Sequence, residues 1–135
     1  MTDAFLDTNV LLRHLTQDEP RQSPRATALL ARIERQELSV RIADTIVFET
    51  VFALERFYKA SKPAIREQLT ALLSLQGIEL PAKARMASAL DRYVELNISF
   101  ADAYHAVLAE SLGLRQIYSF DREFDRVESL RRLEP

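Results

Sequence analysis

The stretch Ala4-Phe5-Leu6-Asp7-Thr8-Asn9-Val10-Leu11-Leu12 constrains the fold more than any other part of this chain. A short apolar run stops on a carboxylate, two small polar residues follow, and a second apolar run begins at once. A buried strand passing abruptly into a helix has this form, with Asp7 at the joint. Aspartate, threonine and asparagine also suit such a joint as plain caps, because their oxygens accept the first free N–H groups of a helix. On its own the stretch sets an architecture and leaves the chemistry open.

The remainder repeats the alternation. Val10 to Leu15 continues as a short helix, broken at Asp18-Glu19-Pro20. Ser23-Pro24 reads as the N-cap and first residue of a second helix with the apolar stripe Ala26, Leu29, Leu30 and Ile33. Leu38 to Ala43 alternates as a strand, and Asp44-Thr45 opens a helix through Tyr58. That helix is apolar around most of its circumference, and Phe48 and Phe52 fall outside the main stripe, which implies a second apolar contact such as another subunit. Pro63 to Leu75 is a helix closed by Gly77. Ile78 to Leu80 is a third strand, and Pro81 opens a long amphipathic helix to Leu96. Ser99 to Leu112 is a helix with Gly113 just past its end, Gln116 to Phe120 a fourth strand, and Leu130 to Leu133 a fifth at the edge. Strands alternating with helices predict an α/β fold with a parallel sheet covered on both faces. The 135 residues, with two glycines, five prolines and no linker or repeat, suit one domain, 1-135.

Composition narrows the function. There is no cysteine, so disulfides and thiolate metal sites are excluded. The net charge of −2, from 20 acids and 18 bases, argues against a protein that grips nucleic acid simply by being basic. No run approaches the roughly 18 apolar residues that span a bilayer, and the N-terminus lacks the form of a signal peptide, so a cytoplasmic location is expected.

Topology gives the acids their interest. In a parallel sheet, Asp7 after the first strand and Asp121 after the fourth sit at the carboxyl edge. Glu49, early in the helix leaving the second strand, and Asp102, in the first turn of the helix that precedes the fourth, are expected at the same rim. Open α/β sheets place their ligands there. Four carboxylates in one crevice repel each other unless a cation neutralises them. An all-oxygen set selects a hard divalent ion, Mg²⁺ or Mn²⁺, which suits phosphodiester hydrolysis by an activated water. Each acid also has a structural explanation. Asp102 completes a Ser-x-x-Asp capping box with Ser99, Asp121 can cap the turn after it, and Glu49 lies at the edge of a buried stripe, where an unpaired carboxylate is expensive. Asp125, one helical turn after Asp121, is a fifth candidate, though a solvated acid has the same spacing. His105 reads as a helix-packing residue, His14 as a surface one, and Arg122-Glu123 as part of a solvated face.

Four segments together resemble the PIN-domain ribonucleases, and most closely the VapC-like toxins of type II toxin–antitoxin systems: Phe5 to Leu12, Ile46 to Val51 around Glu49, Phe100 to Ala106 around Asp102, and Ser119 to Phe124 around Asp121. They follow the family's order and spacing from residue 4 to about 125. The resemblance implies a PIN-like three-layer fold, with a central, mostly parallel sheet of about five strands flanked by helices. It implies a Mg²⁺- or Mn²⁺-dependent endoribonuclease in which Asp7, Glu49, Asp102 and Asp121 hold the metal and activate water, leaving a 5′-phosphate and a 3′-hydroxyl. Asn9 and Ser119 match the family's small polar residues lining the site. It also implies a homodimer, which would occupy the Phe48/Phe52 face, and an antitoxin that inserts a basic or bulky side chain into the acidic pocket.

Other readings fit less well. A haloacid-dehalogenase-like phosphatase needs a second acid two residues after Asp7, where this chain has Asn9, and a lysine at the rim, where Lys59, Lys62 and Lys83 do not fall. A receiver-like domain needs a phospho-acceptor after the third strand, where Pro81-Ala82 stands. A non-enzymatic partner-binding module, in which the acids only cap helices, remains the third alternative.

Overall fold

The computed structural model describes residues 2–135. Two compact units divide between Lys83 and Ala84. In the first, β1 (Ala4–Phe5) leads through Leu6 and Asp7 into α1 (Thr8–Thr16), followed by α2 (Gln22–Glu34), β2 (Val40–Arg41), α3 (Asp44–Arg56), α4 (Lys62–Leu73) and β3 (Ile78–Glu79). Helix α5 (Lys83–Glu95) begins at the division. The second unit then carries α6 (Phe100–Ser111), β4 (Gln116–Tyr118), a 3-10 turn (Arg122–Arg126) and β5 (Arg131–Leu133).

All the paired strands run parallel, as the alternation of strand and helix demands. The ladders differ from one continuous five-stranded sheet. Among the described residues, β1-β2-β3 form one sheet and β4-β5 a second. Ala4 is in register with Val40, and Val40 with Ile78; Gln116 is in register with Arg131. Because β1 and β2 are parallel, Asp7 and the N-terminus of α3 leave the first sheet from the same, carboxyl, edge.

The first unit's core is aliphatic. Ile33, Ile42, Val51, Leu54, Ile65, Leu69 and Ile78 each retain 2% exposure or less. Burying one such side chain contributes about 1.5–3 kcal/mol. Gly77 belongs to this packing and not to a helix end: α4 closes at Ser74. A Cβ on Gly77 would lie 2.8 Å from Ile33 Cγ2 and 2.9 Å from the Ile33 carbonyl oxygen, so only hydrogen fits.

The cap of α2 also differs from expectation. Ser23 is buried inside the helix, and its hydroxyl accepts the Glu19 N–H at 3.2 Å. Glu19 does the capping: its carboxylate accepts the N–H groups of Arg21, at 3.1 Å, and of Gln22. His14 is half-buried, with Nδ1 2.9 Å from Thr27 Oγ1, and burial lowers its pKa; it joins α1 to α2 and does not lie free on the surface.

The second unit's core is more aromatic. Tyr93 and Phe100 meet edge to face, with ring centres 5.7 Å apart, while Ala89, Ala103 and Ala106 are small enough to be wholly buried. The Arg92 guanidinium pairs with the Glu110 carboxylate at 2.6 Å, tying α5 to α6, and Ser129 Oγ donates to Glu110 as well. Gly113, at φ 74°, takes the left-handed turn after α6 that the sequence predicts.

Candidate functional site

Asp102, Asp121 and Glu123 each offer a carboxylate oxygen within 4.8 Å of the others. The backbone brings them together through two different caps. Ser99 caps α6, its hydroxyl accepting the Asp102 N–H at 3.1 Å, which places Asp102 in the first helical turn. In a capping box the residue at the Asp102 position would return the favour to the Ser99 N–H. Here Glu123 Oε1 accepts that N–H instead, at 3.3 Å. The Asp102 carboxylate is thereby released from capping, and its Oδ2 is buried without a hydrogen-bond partner.

Asp121 stands at the other end of the cluster. Ser119 Oγ accepts the Asp121 N–H at 2.9 Å, and Asp121 Oδ1 accepts the Glu123 N–H at 2.9 Å. The expected cap on the 3-10 turn is therefore real, and it occupies only one of the two carboxylate oxygens.

Electrostatics separate the pair. Burial, then the adjacent Asp121 carboxylate and the Glu123 charge, push Asp102 up to about 6. Asp121 moves the opposite way, chiefly because the Glu123 N–H stabilises its anion. A half-buried carboxylate with an orphaned oxygen, beside two more acids, costs energy in its charged form. A cation would remove that cost. The set contains only oxygen donors, which fits Mg²⁺ or Mn²⁺ and not a soft metal.

The other predicted residues lie as follows. Asp7 is exposed at the N-cap position of α1, and its side chain makes no capping hydrogen bond, so the plain-cap explanation fails for it. Directly after it, Thr8 Oγ1 is buried without a partner. Glu49 is exposed on α3, so the expected burial cost is absent. Neither Asp7 nor Glu49 is a member of the three-acid cluster. Asn9 is exposed on α1. Asp125 is turned to other work: Arg132 Nε donates to its Oδ1 at 2.8 Å, and that pairing lowers its pKa. The same guanidinium donates to the Ser119 carbonyl at 3.1 Å. His105 is exposed, its ring edge-on to Tyr104, and so is not the packing residue expected.

Glu123 is the residue that sequence reasoning missed. Beside Arg122 it looks like one more solvated charge. Its signal was its offset of two from Asp121, since a turn that caps itself on residue 121 folds residue 123 back toward the same carboxylate.

Comparison with known proteins places the chain in a family. The chain is 24% identical over 123 residues to the VapC ribonuclease of Aquifex aeolicus (strain VF5), a match covering 91% of this chain and 90% of the relative. Residues 4–130 match the PIN domain, and with that span, which holds every acid discussed above, the chain belongs to the PIN domain family.

Proposed function

We propose that the protein is a divalent-metal-dependent endoribonuclease, the toxin of a toxin–antitoxin pair acting in the cytoplasm. The observation that carries this reading is the Asp102 carboxylate, whose Oδ2 is buried and unpartnered and which offers an oxygen within 4.8 Å of oxygens of Asp121 and Glu123. Asp7, Glu49, Asp102 and Asp121 supply the carboxylates that hold Mg²⁺, with Mn²⁺ as a substitute; Glu123 joins them or holds Asp102 in place through Ser99. A bound divalent ion supplies an activated water and charge stabilisation at the phosphate. The protein's own share is to fix the acids before the substrate arrives and to keep Asp102 short of hydrogen-bond donors. Ser119 positions Asp121 through its hydroxyl, and Asn9 lines the approach. Cleavage then leaves a 5′-phosphate and a 3′-hydroxyl.

The relative named above is a ribonuclease, which supports RNA as the substrate. No helix is long and apolar enough to cross a membrane among the described residues. The partners in this reading are RNA, an antitoxin protein and a second copy of the chain. For the last, α3 offers Phe52, 56% exposed, with Phe57 edge-on to it and the Arg56 guanidinium 5.7 Å above its ring; Phe48, on the same helix, is half-buried. Phe52→Asp is expected to weaken self-association about tenfold or more, as loss of a central aromatic anchor does, and an unchanged mass by sedimentation would remove this face as the interface.

The deciding experiment is sequencing of RNA ends after expression of wild type and Asp7→Asn. New ends bearing 5′-phosphates in wild type alone are expected. Identical end profiles, together with no stabilisation by Mn²⁺, would leave a binding module in place of a nuclease.

A further inference from the structure

We propose that Tyr118 and Phe120 form a stacking platform for unpaired bases of the RNA, beside the carboxylate cluster. This rests on the nuclease reading above and adds how the substrate is held. Tyr118 is 72% exposed and Phe120 75%, the two most exposed large hydrophobic side chains described. Two exposed rings within one three-residue segment offer apolar faces to a ligand.

The support beneath the rings is firm. Ser119, between them, donates its N–H to the Leu133 carbonyl at 3.0 Å. Its own carbonyl accepts the Arg132 guanidinium at 3.1 Å, and its hydroxyl accepts the Asp121 N–H at 2.9 Å. Three hydrogen bonds thus fix the residue that separates the rings. Phe120 directly precedes Asp121, a member of the acidic cluster, so a strand held on its ring is anchored one residue along the chain from the proposed chemistry.

Charge explains why aromatic faces are needed. A cluster of three acids repels a polyanion, and the chain as a whole carries −2. Binding energy must come from groups indifferent to the phosphates' charge or opposite to it. Aromatic rings accept the face of any base, and the exposed Arg122, one residue beyond Asp121, can meet a phosphate. Stacked bases of an A-form duplex hide their faces, so the platform selects single strands, loops and ends.

The chain contains no tryptophan, which supplies a clean reporter. Phe120→Trp and Tyr118→Trp each introduce a single indole. Titrated without divalent metal, a single-stranded oligoribonucleotide should quench its emission, while the same sequence held in a duplex should not. In cleavage assays Phe120→Ala or Tyr118→Ala should raise KM about 5- to 150-fold, the range expected for losing one stacked base, with kcat unchanged. Phe120→Leu should behave as the alanine variant and Phe120→Trp as wild type. If wild type cleaves RNA while KM and indole emission stay unmoved in the variants, the platform is refuted and the nuclease reading survives. Quenching by single strands in a protein that cleaves nothing with any divalent metal would support the platform and sink the nuclease. Alanine variants that change sedimentation but not KM would mark a protein interface and overturn the proposal.

Discussion

Two groups of acids in this protein are handled in opposite ways. Around the first sheet, Asp3 and Glu79 are supplied with donors: Asp3 Oδ2 accepts the Ser39 N–H at 2.9 Å, Glu79 Oε1 accepts the Ser39 hydroxyl at 3.2 Å, and Thr2 donates to Glu79 Oε2. Those bonds, with Thr2 first, lower the Glu79 pKa. In the second unit, Asp102 is left with a buried oxygen that nothing donates to, and burial beside Asp121 raises its pKa to about 6. Residue type is the same in both places. What differs is whether the fold provides hydrogen-bond donors or withholds them, and only the second arrangement has something to gain from a cation.

The sharpest way to break this contrast is catalytic. Asp102→Asn or Asp121→Asn should lower RNA cleavage by roughly 10²–10³ or more, the scale of losing one preorganised charge-stabilising group, while the melting temperature of Asp102→Asn holds or rises. Glu79→Gln should do the reverse, leaving cleavage intact and lowering melting temperature slightly. A drop in stability for Asp102→Asn would erase the distinction.

Metal binding comes next in size. At a hundredfold excess over its dissociation constant, Mn²⁺ should stabilise wild type by about 2.7 kcal/mol, read as a higher melting temperature that disappears in Asp102→Asn. Gly77→Ala tests the other region: overpacking against Ile33 should cost about 1–3 kcal/mol, seen as a lower melting temperature at unchanged cleavage per folded molecule.

The smallest effect is in pH. Asp102 is raised, so its contribution to stability is full below the ordinary carboxylate range and is lost as pH climbs through about 6. Glu79 is lowered, so its contribution is present above that range and fades as pH falls through its depressed value. Melting curves of Asp102→Asn should lose the downward trend between pH 4 and about 6; those of Glu79→Gln should keep it.

Much of the molecule was legible in its residues. Period and punctuation located the five strands and six helices among the described residues; the same reading picked out Asp102 and Asp121, which the fold brings together, and Asp7, which lies outside the three-acid cluster. Caps were read less well, because Ser23 has the right type and Glu19, an unusual capper, has the right position. Gly77 was read as a helix end when its small size served the approach of Ile33, a residue far away in sequence. Glu123 and Asp125 look alike on paper. Only the turn geometry, and Arg132 from β5, sent one toward the cluster and the other away. The division of the strands into a triple and a pair depends on hydrogen bonds between distant segments, which local pattern does not encode.

Ser99 carries a consequence for heat. Its hydroxyl holds the first turn of α6 and its amide holds Glu123, so one helix end and one side of the acidic cluster share a single anchor. Helix ends fray at temperatures well short of global melting. Warming should therefore silence the enzyme in a window where the aliphatic core of the first unit is still intact, and cooling from that window should restore activity at once.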